Sequence, residues 1–341
     1  MSAPLLSTDA AVLPDLRPTP GRTPPTPAAP SGLRPPSLGR TLTGCVAALA
    51  LSLNVIFCVG LLVVPVALLK LLTPAGSRPR KWCDRLLNAI GSFWIENNAR
   101  WERATQSTRW DVAGVSELTP GGWYLVTCNH QSWVDVLVLQ RVLNRRIPLL
   151  KFFLKRQLLY VPFMGLAWWA LDFPFMQRHS KDYLDRHPEQ RHRDLATTRQ
   201  SCERFSKVPT SVLNFLEGTR LTAAKHRSQQ SPFVHLLRPK AAGLALAVQS
   251  LGDKFSSLLS VTIFYPDGIP TFWEFLCNRL PRVTVRVSSR QIPAALFGGD
   301  YQDDADYRQR FQSFVNDHWA EKDAELAALH AGSAPAGQAP R

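Results

Sequence analysis

The stretch WYLVTCNHQSWVDVLVLQRVL, residues 123–143, changes from a strand pattern to a helical pattern. Its first part, WYLVTCN, is rich in β-branched and aromatic residues and predicts a strand, whereas Asp135–Leu143 has the apolar spacing of a helix. A strand that passes through a short polar segment into a helix is typical of α/β proteins, which bind ligands at the carboxyl ends of their strands. His130 lies in that polar segment.

The chain beyond Trp110 repeats this alternation. Helical patterns such as Lys240–Gln249 separate further strand candidates, namely FPFMQR, TSVLNFLE, LLSVTIFYP and RVTVRVSS. The pattern predicts an α/β fold with a largely parallel sheet flanked by helices, preceded by an N-terminal membrane-associated helical segment.

The N-terminal third has a different composition. Residues 1–40 contain 10 of the 27 prolines, which predicts a disordered tail. The 26 residues of 44–69 carry no charge, and about 20 suffice to cross a bilayer core. Whether this run crosses the bilayer or forms one arm of a hairpin in a single leaflet stays open. The tryptophan-rich helical pattern of 81–101 suits the membrane interface or core packing equally well.

These features divide the chain into four parts. They are a disordered tail (1–40), membrane-anchoring helices (41–105), one large globular domain (106–325) and a second disordered tail (326–341). Basic residues follow the uncharged run more densely than they precede it, which favours a cytoplasmic location for the globular domain.

The positive charge is concentrated in the middle of the globular part. The formal net charge is +14, and residues 141–240 alone hold 19 Lys or Arg against 7 Asp or Glu. Such a surface suits an anionic partner, although a merely solvated basic surface remains an alternative. The six cysteines have no metal-ligand spacing, which is consistent with a reduced, cytosol-facing domain.

His130 and Asp135 are candidate catalytic residues. A carboxylate one helical turn from a histidine can fix the tautomer of the imidazole and raise its basicity, which is what a general base requires. Ser132 and Asp135 also form an S-x-x-D pattern, which predicts Ser132 as the N-cap of the following helix. The capping role and the catalytic role are compatible.

Three further blocks follow, each at or just after a predicted strand end. They are FPFMQRHS with Arg178, VLNFLEGTRLT with Glu217, Gly218, Thr219 and Arg220, and VTIFYPDG with Pro266. Two arginines and a Gly-Thr turn can gather a phosphate, because guanidinium groups donate in pairs and glycine lets backbone N–H groups approach. Each block could also be an ordinary turn, but four in this order make coincidence improbable.

The four blocks resemble those of the lysophospholipid (1-acylglycerol-3-phosphate) acyltransferase family, in its bacterial membrane-bound branch. NHQSWVD matches the N-H-x-x-x-x-D block, FMQR the second and FLEGTR the third, whereas the fourth has Thr262 where V-P-V is common. The resemblance covers about residues 123–268 and implies that 106–325 is an acyltransferase domain.

The resemblance implies acyl transfer from acyl-CoA or acyl carrier protein to the free hydroxyl of a lysophospholipid, most simply 1-acylglycerol-3-phosphate, giving phosphatidic acid. His130 would be the base, oriented by Asp135. The residues that would hold the glycerol phosphate are Arg178, Glu217, Gly218, Thr219 and Arg220. Further candidate site residues are Asn129, Ser132, Pro266 and Lys155, the last as an oxyanion donor.

The expected partners are therefore lipid acceptor, acyl donor and membrane lipids, with no nucleic acid, metal or cofactor, at a bacterial inner membrane. One alternative within the same class is an acyltransferase for another lysophospholipid. Two readings from other classes also stay open. One is a non-catalytic membrane protein that binds anionic lipids. The other is metal-dependent hydrolysis, which the eight histidines disfavour because they form no H-E-x-x-H pattern.

Overall fold

The computed structural model of the chain describes residues 36–176 and 208–333. Helices α1 (Leu38–Val55), a π-helical segment (Ile56–Val63) and α2 (Val64–Leu71) follow one another without a break. The π-helical segment ends just before Pro65, whose missing N–H interrupts a regular helical ladder. Helix α3 (Arg78–Thr105) then packs against this helical run.

The continuous helical run Leu38–Leu71 is 34 residues long, its most apolar 18-residue window has a mean hydropathy of 2.6, and it is long and apolar enough to cross a membrane. Its polar residue Asn54 faces α3, because the Asn54 amide donates to Trp94 O (3.1 Å) and to Asn98 Oδ1 (2.7 Å). The side-chain oxygen of Asn54, Oδ1, accepts from the side-chain amide of Asn97 at 3.2 Å. The second helix therefore satisfies the polar group that this apolar run carries.

The predicted α/β fold with a largely parallel sheet is present. A sheet in the order β1-β8-β7-β2-β6-β3 is parallel except where β7 and β8 pair. Its strands are β1 (Arg109–Ala113), β2 (Tyr124–Cys128), β3 (Leu150–Phe152), β6 (Ser211–Phe215), β7 (Ser257–Phe264) and β8 (Arg282–Arg290). The short strands β4 (Leu154–Lys155) and β5 (Phe175–Met176) form a separate parallel pair.

Helices cover the two faces of the sheet with two apolar clusters. On one face, α4 (Val134–Leu143) and α8 (Phe272–Leu276) pack together with Ala47 of α1. On the other face lie α7 (Ala242–Leu251) and the terminal helix α9 (Ala305–Ser333). Two further short α-helices are α5 (Met164–Ala170) and α6 (Ala223–Gln229). The N-terminal helical run thus packs on the α4 face, opposite α9.

The terminal helix corrects one sequence prediction. Helix α9 continues to Ser333, so the prediction of a disordered tail from residue 326 is wrong for 326–333. Leu326 is fully buried in the cluster that α9 forms with the sheet, and this burial explains why the helix continues. Leu326 is surrounded by polar and small residues in the sequence, so the apolar spacing of a helix is not evident there.

Candidate active site

His130 and Asp135 meet at the carboxyl end of β2. His130 is the second residue after β2, and the Nδ1 atom of its ring lies 2.9 Å from Asp135 Oδ2. An Nδ1–H that donates to the carboxylate leaves Nε2 of the neutral ring as a proton acceptor. The ring also stacks on Phe215, the last residue of β6, with centroids 4.1 Å apart. The strand ends therefore fix both the tautomer and the plane of the imidazole.

Asp135 is fully buried and accepts hydrogen bonds at both oxygens. Oδ2 accepts from the backbone N–H groups of Gln131 (2.6 Å) and Ser132 (2.8 Å) as well as from His130. Oδ1 accepts from the hydroxyl of Tyr265 at 2.6 Å. Burial and the neighbouring Asp135 raise the pKa of Tyr265 well above 10.0, so its hydroxyl stays a donor. The fourth block contributes Tyr265, although the candidate site residue predicted from this block was the adjacent Pro266.

The start of α4 has the interactions of the predicted cap. Trp133 already has helical backbone angles (φ −61°, ψ −23°), Ser132 Oγ accepts from Val134 N (3.2 Å), and Asp135 Oδ2 accepts from Ser132 N. Ser132 Oγ also donates to Pro270 O (2.5 Å). The hydroxyl joins the loop that carries His130 to the segment after β7, and the carboxylate of Asp135 accepts hydrogen bonds from the backbone of that loop.

Asn129 connects β2 to β7 beyond the last paired residues of the two strands. Its side-chain amide donates to Ile263 O and its carbonyl accepts from Ile263 N, each at 2.9 Å. The buried side chain thus replaces a backbone partner at the point where β2 ends. This interaction fixes the start of the loop that carries His130.

Glu217 lies behind the loop that carries His130. It is fully buried, and its oxygens accept from the backbone N–H groups of His130 (2.8 Å) and Leu237 (3.3 Å). Burial raises the pKa of the Glu217 carboxyl to about 8. Both oxygens are thus engaged with backbone N–H groups, one of them that of His130, and the phosphate-binding role that the resemblance implied for Glu217 stays a prediction.

The rest of the third block packs against the first. The His130 carbonyl accepts from Leu221 N at 2.7 Å. Gly218 has φ +66°, a conformation that favours glycine, and it turns the chain after β6. Thr219 Oγ1 accepts from Lys225 Nζ at 2.7 Å. The exposed guanidinium of Arg220 lies over the ring of Trp133, 4.8 Å from its centroid, and the block therefore presents a cation beside the catalytic loop.

The structure does not test the predicted roles of three other site residues. Arg178 lies outside the described residues, immediately after β5 and Gln177. Lys155 is exposed in β4, on the separate two-stranded sheet. Pro266 lines a surface cleft with Phe264 and Arg282. Their roles at the site stay predictions.

A polar cluster from α9 lies under the catalytic strands. Lys322 is buried, and its Nζ donates to Val261 O and Thr262 Oγ1, each at 2.8 Å. Thr262, which stands where the family commonly has proline, donates in turn to Glu325 at 2.5 Å. Burial lowers the pKa of Lys322 to about 8. Beside it, His318 Nε2 lies 2.9 Å from Thr127 Oγ1, and burial lowers the pKa of His318 to about 3.

Sequence reasoning missed this cluster because Lys322 is 60 residues from Thr262 along the chain and belongs to no motif. The one sign of the cluster in the sequence was Thr262, which stands at the proline position of the V-P-V pattern. The threonine supplies a hydroxyl that ties β7 to α9, and β7 in turn carries Ile263 and Tyr265 to the catalytic loop.

The family comparison agrees with this geometry. A family model described as Acyltransferase matches residues 109–258, which include the His130–Asp135 pair and the Glu217–Arg220 block. Residues 109–258 of the chain therefore match the acyltransferase family. The resemblance predicted from the four blocks is thereby confirmed.

Its relatives are enzymes of one kind. It is 28% identical over 151 residues to the 1-acyl-sn-glycerol-3-phosphate acyltransferase gamma of Mus musculus, a match covering 41% of this chain and 37% of that one. With the delta form of Homo sapiens it is 28% identical over 181 residues, 50% of this chain and 45% of the relative. The matches thus span about half the length of these relatives or less.

A solved structure shares the fold. The 1-acyl-sn-glycerophosphate (LPA) acyltransferase PlsC from Thermotoga maritima superposes with a TM-score of 0.51 at 16% identity, covering 85% of this chain and 98% of that one. The similarity includes most of the described sheet and helices, because it extends well beyond the residues matched by the family model.

Proposed function

We propose that this protein transfers a fatty acyl chain from a thioester to the free hydroxyl of a lysophospholipid, with 1-acylglycerol-3-phosphate as the acceptor. The observation that carries the proposal is the His130–Asp135 pair, with Nδ1 held by a carboxylate that is itself held by Tyr265. An imidazole fixed in this way presents Nε2 as a base to an incoming hydroxyl.

The reaction follows from that base. Nε2 of His130 takes the proton of the acceptor hydroxyl as its oxygen attacks the thioester carbonyl. The new C–O bond gives a tetrahedral oxyanion, which collapses with cleavage of the C–S bond. The thiolate leaves with the proton that His130 took, and the buried Asp135 stabilises the imidazolium in between. The acceptor is itself the nucleophile, so no serine or cysteine of the protein needs to be acylated.

The charged groups suit the phosphate of the acceptor. Arg220 lies exposed next to Trp133, three residues beyond His130, and can bind a phosphate by paired N–H groups. Lys225, which donates to Thr219 Oγ1 and to Arg220 O, adds a second cation and shapes the turn. We expect Arg178 to contribute from the neighbouring block.

The acyl chain would enter an apolar cavity. This cavity lies between the N-terminal helices, α4 and α5, and its lining includes Cys58, Val59, Ile90, Trp94, Gln140, Phe152, Ala167 and Trp168. Its volume is about 40 Å³, so a bound acyl chain requires it to widen. Gln140 is five residues beyond Asp135 on α4, about 7.5 Å along the helix axis. A chain esterified near His130 could therefore extend down α4 into this pocket.

The proposal also concerns location. The apolar helical run Leu38–Leu71 would hold the protein at a membrane, and the basic residues that follow it favour a cytoplasmic catalytic domain at a bacterial inner membrane. The acyl donor would be acyl-CoA or acyl carrier protein, both of which approach from the aqueous side.

The test is acylation of a panel of lysophospholipids by the purified protein in vesicles, with labelled acyl-CoA and separately with acyl carrier protein. We expect 1-acylglycerol-3-phosphate to be the best acceptor. His130→Ala should lower the rate by about 10²–10⁴-fold, whereas Gln309→Ala, on the exposed side of α9, should not. Near-normal turnover by His130→Ala would refute the mechanism, and a different best acceptor would refute the substrate.

A further inference from the structure

The segment between the two small strands exposes an unusual amount of apolar surface. A 3₁₀ helix (Arg156–Tyr160) leads through a turn into α5. Tyr160 is 78% exposed, Val161 38% and Phe163 47%, and Leu166 and Trp169 on α5 are each 40% exposed. A contiguous apolar run of this kind marks a surface that contacts something less polar than water. We propose that residues 156–170 are a second membrane-contact element, whose tip Tyr160–Phe163 inserts among lipid headgroups.

The shape of the tip is fixed by packing, so its exposure is a property of the fold. Phe163 has a backbone φ of +60°, a conformation that residues other than glycine rarely adopt. Hydrogen bonds from Met164 N to Pro162 O (2.6 Å) and from Gly165 N to Val161 O (2.8 Å) hold the turn. A Cβ on Gly165 would lie 2.0 Å from Leu159 O, so the turn is closed too tightly for any other residue. The apolar side chains are thereby held outward.

Helix α5 is two-sided. Its small residues Gly165, Ala167 and Ala170 are buried, and α5 packs against the π-helical segment Ile56–Val63. Leu166 and Trp169 lie on the opposite side and are exposed. Small residues on the inner side bring α5 close to the apolar helical run, while large ones remain on the outer side.

The exposed side of α5 adjoins the apolar surface of the N-terminal helices. Trp169 lines the same surface groove as Leu71, Arg80 and Lys81. The helical run itself exposes a series of large apolar side chains, among them Leu42, Val46, Leu49, Leu53, Phe57 and Leu61. One lipid surface can cover both, because the elements are packed together.

The accompanying residues favour a lipid interface over a protein partner. Tyr160 and Trp169 have amphipathic rings of the kind enriched at headgroup level. Lys155 and Arg156 precede the tip and are exposed, and Arg80 and Lys81 lie at the groove with Trp169. Aromatic rings bordered by cations match the anionic surface of a bilayer. The inference rests on the proposed function in one respect, since a lipid acceptor must reach His130 from that bilayer.

Depth measurement tests the inference without assaying activity. Phe163→Cys, in a chain with Cys45 and Cys202 replaced by serine, would be labelled with an environment-sensitive fluorophore. It would then be placed in vesicles of phosphatidylethanolamine and phosphatidylglycerol. We expect quenching by nitroxide-bearing lipids and protection from aqueous iodide. A label at Gln309→Cys, exposed on α9, should show the reverse. Iodide quenching at 163 equal to that at 309 would overturn the inference. Protection from both quenchers would indicate a protein partner and would overturn it equally.

A kinetic experiment separates membrane contact from folding. The variant Tyr160→Ser, Val161→Ser, Phe163→Ser should raise the apparent KM for lysophospholipid in vesicles by about tenfold, because the lost apolar contacts weaken interfacial binding. Its activity on a short-chain lysophospholipid dissolved as monomers should stay within about twofold of normal, as should that of the matched control Gln157→Ser in both assays. Equal loss in both assays would show a structural role and overturn the inference. If the unchanged protein acylates no lysophospholipid while the label at 163 is still quenched by lipid, the proposed function fails and the membrane element stands.

Discussion

The hydroxyl of Tyr265 donates a hydrogen bond of 2.6 Å to Asp135, the carboxylate that holds Nδ1 of His130. The two residues are 130 positions apart, and the contact joins the fourth block to the first. Both are buried, so water cannot replace the hydroxyl if it is removed. We therefore propose that Tyr265 positions the His130–Asp135 pair.

Replacement of Tyr265 by phenylalanine tests this relationship. A hydrogen bond to a charged group contributes about 1.5–3 kcal/mol, so we expect kcat of Tyr265→Phe to fall by about 10- to 150-fold. The acceptor KM should hardly change, because the hydroxyl faces Asp135 and not the substrate. Steady-state kinetics with Tyr301→Phe as the control would measure both constants. A rise in KM at constant kcat would mean that Tyr265 acts in binding.

A second prediction concerns the pH dependence of stability. Burial raises the pKa of Glu217 from 4.5 to about 8. Between those values the folded protein keeps a proton that the unfolded chain has released, so the free energy of unfolding should fall as pH rises. Glu217→Gln cannot titrate and should show a flatter dependence across that window. Urea unfolding in detergent at a series of pH values would measure it.

The matched control for this experiment is Glu321→Gln, because that side chain is 59% exposed on α9. It should leave the slope of the wild-type protein unchanged. Identical slopes for the wild-type protein and Glu217→Gln would show that the buried carboxyl keeps its ordinary pKa in the fold.

Most of the sheet was predictable from the sequence because its longer strands are rich in β-branched residues. The runs around β2, β6 and β7 are largely buried, and that around β8 alternates valine with polar residues over its first half. Each was predicted as a strand. Strand β1 alternates exposed and half-buried residues at the sheet edge, and β3 has three residues. Such short or edge strands are specified by their neighbours more than by their own residues, and they were missed.

The site was predictable where its residues are close in sequence. The loop from β2 to α4 brings His130 to Asp135 within five residues, and local spacing was enough to pair them. The orientation of Glu217 and the partner of Lys322 depend on how β6 and α9 pack against β2 and β7. No local pattern encodes those contacts, because they join segments that are 60 or more residues apart.

A third prediction concerns the phosphate of the acceptor. Arg220→Ala should raise the KM for 1-acylglycerol-3-phosphate by about 10- to 150-fold, the equivalent of one charged hydrogen bond. The KM for the thioester should stay unchanged. Arg227→Ala, an exposed arginine on the adjacent helix α6, serves as the control and should alter neither constant. If only the thioester KM rises, Arg220 contacts the acyl donor instead.

The last prediction concerns the length of the acyl chain. Ala167 is buried on α5 and lines the apolar pocket between α5 and the N-terminal helices, whereas its neighbour Leu166 points outward and is 40% exposed. Ala167→Phe places a ring in that pocket and should shift the preferred acyl-CoA to shorter chains, since long chains would lose the space they occupy. Leu166→Phe adds comparable bulk outside the pocket and should leave the preference unchanged. Competition among acyl-CoA donors of graded length, with products separated by mass, measures the preference directly. An unchanged preference in Ala167→Phe, with normal activity on short chains, would show that the acyl chain lies elsewhere.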